Sequence, residues 1–407
     1  MYNTRLDGLT EYPFQRLAAL LAGIEPPPGV SPVIMSIGEP QHAPPDLLFK
    51  VLAQNPHDWG KYPPTSGSPD YRAAVAAWCA RRYGLPSGFL DPDRHVLPVA
   101  GSREALFMAA QLCVPPQKNG RTPTVLMPNP FYQVYFGAAV MSGADPILVP
   151  AAKASGFLPN YAGVASGDLE RCAMAYLCTP ANPQGTVASL DLLKDAIRLA
   201  RKHDFVLVSD ECYSEIYADA PPAGALEACA VLGEGLSNVL VFNSLSKRSS
   251  VPGLRAGFVA GDAELIARFS KLRAHGGAVQ PLPVMAAAAA LWRDEDHVAD
   301  NRRLYRAKTD DAAGIFGDSF GFYRPAGGFF LWLDVGDGES VAKALWREAG
   351  VKVLPGGYLA RATSQGRDNP GRSYIRVALV HDRERTAEAL TRMKQTLLGV
   401  ARTSLPQ

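Results

Sequence analysis

The feature that most constrains this chain is an alternation of short β-branched runs with longer helical patterns. Thr124-Val125-Leu126-Met127, Ala175-Tyr176-Leu177-Cys178, Phe205-Val206-Leu207-Val208, Val239-Leu240-Val241-Phe242 and Gly257-Phe258-Val259-Ala260 all read as strands. They are apolar on both faces, as strands covered by helices on both sides must be. Between them, Glu104 to Cys113 reads as a helix opened by Gly101-Ser102. Leu190 to His203 is another, with Leu192, Leu193, Ala196, Ile197 and Ala200 at helical spacing. This is the pattern of βαβ units and a mostly parallel sheet. The first strand is expected to stop at Pro128, the second at Thr179-Pro180, the third at Ser209-Asp210-Glu211 and the fourth at Asn243-Ser244. Ligands of open α/β sheets bind at the carboxyl ends of strands, so these ends point to one crevice.

With 407 residues, 47% of them hydrophobic, the chain is long enough for a large α/β domain and a smaller companion. Residues 1–48 are rich in proline and glycine. From Asp294 onward, charged helices alternate with short strands such as Phe329-Phe330-Leu331-Trp332-Leu333. The expected division is a large domain over 49–293 and a small one built from 1–48 and 294–407. The Ala run at 286–290, flanked by Trp292, Arg293 and Asp294, reads as a buried helix.

Charge is balanced, with 41 basic against 39 acidic side chains. No segment concentrates Lys and Arg, which argues against a nucleic-acid partner. The cysteines (Cys79, Cys113, Cys172, Cys178, Cys212, Cys229) form no CxxC pair and have no His partners at metal spacing. They read as free thiols of a reducing compartment, with no metal. No signal peptide and no transmembrane helix are expected, which places the chain in the cytoplasm.

The segment Asn243-Ser244-Leu245-Ser246-Lys247-Arg248-Ser249-Ser250-Val251-Pro252-Gly253-Leu254-Arg255-Ala256-Gly257 carries the chemistry. Most lysines are solvated surface charges. Lys247 instead follows a core strand, is preceded by hydroxyls at Ser244 and Ser246, and is followed by Arg255 after a Pro-Gly turn. Hydroxyls, a guanidinium fork and a turning backbone are what a phosphate needs. A lysine amine in that setting can lose its proton and form an imine.

The stretch Ser-x-Ser-Lys…Gly-x-Arg-x-Gly resembles the lysine motif of fold type I pyridoxal-phosphate enzymes, in the class I/II aminotransferase group. The resemblance implies a large domain with a mostly parallel seven-stranded sheet, a smaller α+β domain, and a homodimer with active sites at the interface. It implies that Lys247 holds pyridoxal 5'-phosphate covalently and shuttles the substrate proton. Asp210 would pair with the ring nitrogen, and Tyr213 and Asn182 would bond the ring oxygen. Gly101-Ser102-Arg103 would form the phosphate cup with Ser244, Ser246 and Arg255. Tyr132 would stack on the ring, and Tyr62 would reach the phosphate from the other subunit. Arg376, in Tyr374-Ile375-Arg376-Val377, would grip the substrate α-carboxylate with Asn182 and the backbone of Gly38. Taken singly, Asp210 reads as a cap or ion pair, Asn182-Pro183 as a turn and Tyr132 as a core residue. Where Gln133 stands, the family commonly has proline.

Within the group the chain is most similar to N-succinyldiaminopimelate aminotransferases of lysine biosynthesis. That likeness lies in Tyr12-Pro13-Phe14-Gln15-Arg16-Leu17, Lys247 to Gly253, His275-Gly276-Gly277, Asp294 to Val298 and Leu354-Pro355-Gly356. It implies ping-pong transfer between glutamate and a long keto acid bearing a distal carboxylate, for which Arg5, Arg16, Arg273 and His275 are candidate cations. An aminotransferase for aspartate or another amino acid, and a carbon–sulfur β-lyase on the same scaffold, remain open. A ligand-sensing regulator would need a DNA-binding module of roughly 60 residues ahead of these motifs, and they begin at Tyr12.

Overall fold

The computed structural model describes residues 1–363 and 369–403. A short strand, β1 (Val33–Ile34), precedes seven that form one sheet: β2 (Val96–Val99), β3 (Thr124–Asn129), β4 (Asp145–Pro150), β5 (Cys172–Cys178), β6 (Val206–Asp210), β7 (Val239–Ser244) and β8 (Gly257–Gly261). Then come β9 (Phe330–Asp334), β10 (Val351–Lys352), β11 (Leu354–Pro355) and β12 (Tyr374–Ala378). The large sheet has the order β2-β8-β7-β6-β5-β3-β4. Only β8 runs against the others. Six strands therefore end on one edge, and the reversed β8 begins there.

The expected helices are present as Ser102–Cys113, Leu190–Lys202 and Leu282–Arg293. The last buries Ala287, Ala288 and Ala289, as its alanine run demands. Strand β3 does not stop at Pro128 but runs through it to Asn129. Its ladder with β5 ends at Leu126, so the N–H that Pro128 lacks has no partner to miss on that side. Two strands without a sequence signal, β2 and β4, are the two edges of the sheet. Both contain proline, which edge strands tolerate and a central strand accepts only where a ladder is interrupted, as at Pro128 of β3.

A second, antiparallel sheet has the order β11-β12-β9, with Arg376 of β12 between Leu354 and Trp332. Its core gathers Phe329, Leu331, Ile375 and Val377 with Tyr305, Phe316 and Leu390 from the C-terminal helices. The large sheet is packed on both faces, by Trp78, Trp292 and Phe258 on one and by Tyr135, Tyr176 and Phe242 on the other. No helix among the described residues is long and apolar enough to cross a membrane. The six cysteines are free thiols.

Trp292 is fully buried, 4.7 Å from the Trp78 ring and 5.1 Å from Phe258. Trp292→Ala is expected to lower the unfolding free energy by about 3–5 kcal/mol, read from urea denaturation. A loss below about 1 kcal/mol would contradict this packing.

Candidate active site

At the shared strand edge lies a cavity of about 600 Å³, a size that suits a small-molecule ligand. Much of its wall comes from residues at or just past strand ends. After β2, Gly101 turns into the helix Ser102–Cys113 with a φ of 82°. A Cβ there would fall 2.1 Å from Nη2 of Arg255, so only glycine lets the guanidinium lie against this turn. No side chain among the described residues caps that helix, and its first N–H groups and positive dipole end suit an anion. Ser102, Ser244, Ser246 and Arg255 line the same cavity. Arg255 enters β8 with a φ of 54°, a left-handed conformation that costs about 1–3 kcal/mol away from glycine.

Asp210 ends β6 and is buried. Its Oδ2 accepts from the Tyr135 hydroxyl at 2.5 Å and its Oδ1 from the Cys212 N–H at 3.3 Å. Burial pushes its carboxyl above the usual range, and those two hydrogen bonds offset part of the shift. No cation pairs with it among the described residues. Tyr213 follows, with its ring edge against Phe329 and Phe330. Past β3, Tyr132 accepts from Nε of Arg103 at 2.7 Å.

Lys247 lies on the single helical turn Leu245–Arg248 that leaves β7. Its Nζ donates to the Gly38 carbonyl at 2.5 Å. Burial lowers its amine to about 8, with Arg376 adding to the effect and the Cys212 side chain opposing it. The backbone of Gly38 lies close because it has no side chain: a Cβ would meet the Phe330 ring at 2.5 Å. Arg376, buried on β12, donates to Oδ1 of Asn182 at 3.1 Å and to the Ser36 carbonyl at 2.7 Å. Its Nε has no hydrogen-bond partner among the described residues. Burial lowers its pKa, yet a guanidinium stays charged at neutral pH.

The structure thus brings together Gly38, Ser102, Arg103, Tyr132, Asn182, Asp210, Tyr213, Ser244, Ser246, Lys247, Arg255 and Arg376 around one cavity, with Gly101 directly behind Arg255. Tyr62 lies outside it and is fully exposed. The four cations expected for a distal carboxylate do not line the cavity. Arg273 is buried and bonded to Glu104 and the Ala278 carbonyl. Arg16 lies over the Tyr358 ring, Arg5 packs near Gly143, and His275 is exposed on the helix Ala263–Gly276. Arg103 lines the cavity and has no carboxylate partner among the described residues. Sequence reasoning passed over Tyr135, Cys212, Glu39 and Phe330. Tyr135 has a signal: it stands three residues after Tyr132 at a helix start, where i and i+3 share a face.

The family model for aminotransferase class I and II matches residues 31–393. The chain is 31% identical over 402 residues to an LL-diaminopimelate aminotransferase of Desulforudis audaxviator, covering 97% of each. It is 34% identical to the 4-dedimethylamino-4-oxo-anhydrotetracycline transaminase OxyQ of Streptomyces rimosus, over 89% of this chain and 92% of that one. Among solved structures, an aminotransferase from Neisseria meningitidis Z2491 superposes with a TM-score of 0.91 at 43% identity, covering 97% and 99% of the two chains. The fold, the cavity and these matches agree: the chain belongs to the class I and II aminotransferases, enzymes that depend on pyridoxal phosphate.

Proposed function

We propose that the protein moves amino groups between glutamate and a long keto acid with a distal carboxylate, N-succinyl-diaminopimelate being the substrate its subfamily-like segments favour. The observation that carries the reading is the partly desolvated Lys247 amine, which shares its cavity with a buried carboxylate that has no cation and a buried guanidinium that has no carboxylate among the described residues. Those unmet charges fit the cofactor and an amino acid together. Ser102, Ser244, Ser246, Arg255 and the uncapped helix start would hold the phosphate. Asp210 would keep the ring nitrogen protonated, with Tyr132 against the ring face and Tyr213 and Asn182 at the ring oxygen. Arg376, with the Gly38 backbone, would take the substrate α-carboxylate as a fork. Pyridoxal phosphate supplies an electrophilic carbon and a ring that accepts charge from the substrate Cα. Lys247 takes the Cα proton at Nζ as a general base and returns it as a general acid. An exposed Tyr62 fits the expectation of a homodimer in which it reaches the partner's site.

Arg103 is the candidate cation for the distal carboxylate. Its guanidinium is steadied by the Tyr132 and Tyr12 hydroxyls, at 2.7 and 3.4 Å. A second reading, unsuccinylated diaminopimelate, is favoured by Glu39: it lines the cavity and would suit a distal ammonium. The names of relatives such as the Desulforudis enzyme point the same way.

Asp210→Asn keeps the size but not the charge. Turnover is expected to fall by about two powers of ten or more, with a smaller loss of cofactor binding. Near-normal turnover would remove Asp210 from the ring nitrogen. For substrate choice, kcat/KM with 2-oxoglutarate is compared for N-succinyl-diaminopimelate, LL-diaminopimelate, aspartate and an aromatic amino acid. The succinylated compound is expected to lead, and Arg103→Gln to cost it about ten-fold or more relative to alanine, as one charged hydrogen bond would. A lead for LL-diaminopimelate would select the second reading. A lead for aspartate or the aromatic substrate would reject both.

A further inference from the structure

Lys308 lies on the helix Asp296–Phe316, is 1% exposed and does not line the cavity. Burying an amine is costly unless its donors are used. Lys308 donates to Nε2 of His42 at 2.9 Å and to the His381 carbonyl at 2.8 Å, and lies 4.3 Å from the Tyr305 ring centre. No carboxylate bonds it among the described residues; Asp382 acts on it only through space. The Nδ1 of His42 faces Oδ1 of Asn301, which can only accept, so the ring carries its proton on Nδ1 and accepts from Lys308 at Nε2. That Nδ1 donates to Oδ1 of Asn301 at 2.7 Å. Oδ1 also accepts from the Ser250 hydroxyl at 3.1 Å. The Asn301 amide then gives its protons to the carbonyls of Lys247 and Arg248, at 3.0 and 3.1 Å. The hydrogen bonds run in one direction, from Lys308 to the turn that carries Lys247, and every link is satisfied.

The two ends of this chain matter because of where they sit. His42 belongs to the same N-terminal stretch as Gly38, whose carbonyl holds the Lys247 amine. Asn301 holds the backbone of Lys247 itself. Lys308 therefore ties the acceptor segment and the donor turn to one helix. We propose that Lys308, His42 and Asn301 are positioning residues that hold the Lys247 turn against the Gly38 segment and so keep its amine in its desolvated place. The proposal rests on the reading of Lys247 as the amine that carries the cofactor. Lys247 is faced there by Glu39, Cys212, Arg376 and Arg103, none of which belongs to the chain. Burial lowers the Lys308 amine to about 7, in keeping with a group held for position at a dry site.

The test is reductive methylation of the full chain freed of cofactor, with Lys247 labelling followed by mass spectrometry across pH. In the unsubstituted protein, labelling is expected to rise with a midpoint of about 8. Folded Lys308→Met and His42→Ala should move that midpoint up by about 0.5 pH unit or more, toward the value of a hydrated lysine. Because the residues act as one chain, Lys308→Met combined with Asn301→Ala should shift it no further than the larger single change. Midpoints within about 0.2 unit of the parent, or shifts that simply add, would overturn the proposal. Should Lys308→Met not fold, half-buried His42→Ala decides the same question. The readout needs no cofactor. A result against this chain therefore leaves the cofactor assignment standing, and a mislabelled cofactor lysine leaves these midpoints unchanged.

Discussion

Two buried charges of opposite sign, Asp210 and Arg376, face one cavity without pairing with each other or with any other ion among the described residues. Isolated buried charges are expensive, and a fold retains them where a ligand completes the pairing. Asp210 is held by a hydroxyl and a backbone N–H, Arg376 by an amide and a carbonyl. All four partners are neutral, so each charge is steadied and left available. Lys247 lines the same cavity with its amine already partly desolvated. Binding energy of a zwitterionic ligand can then be spent on orientation instead of on assembling the site.

What holds these charges in place is the direction of the sheet. Six strands deliver their carboxyl ends to one edge, and the reversed β8 delivers Arg255 to the same edge from its start. Arg376 arrives from a different sheet, and its bond to Asn182 joins the two. The site is therefore as precise as the packing between the β11-β12-β9 sheet and the large one. Phe330 contributes to that packing twice, against the Tyr213 ring and beneath the Arg376 guanidinium at 4.3 Å.

Much of this was legible in the sequence, for physical reasons that differ by residue. Lys247, Ser244, Ser246 and Arg255 are readable because a phosphate shell after a strand uses residues close together in the chain. The central strands are readable because burial on both faces makes them uniformly apolar. The edge strands β2 and β4 are not, since edges accept the prolines that argue against strands. Tyr135 was obscured because its role depends on a hydrogen bond 75 residues away, to Asp210. The surroundings of the candidate distal cations were obscured for the same reason. Nothing local shows that Glu104 holds Arg273, or that Arg103 is bonded by the Tyr12 and Tyr132 hydroxyls with no carboxylate partner among the described residues.

The central claim is that the amine of Lys247 is the point at which this chain grips its cofactor. Borohydride reduction of the purified protein, followed by peptide mapping, tests it most directly. The account predicts a pyridoxyl group on Lys247 and on no other lysine. A label on a different lysine, with Lys247 unmodified, would contradict it.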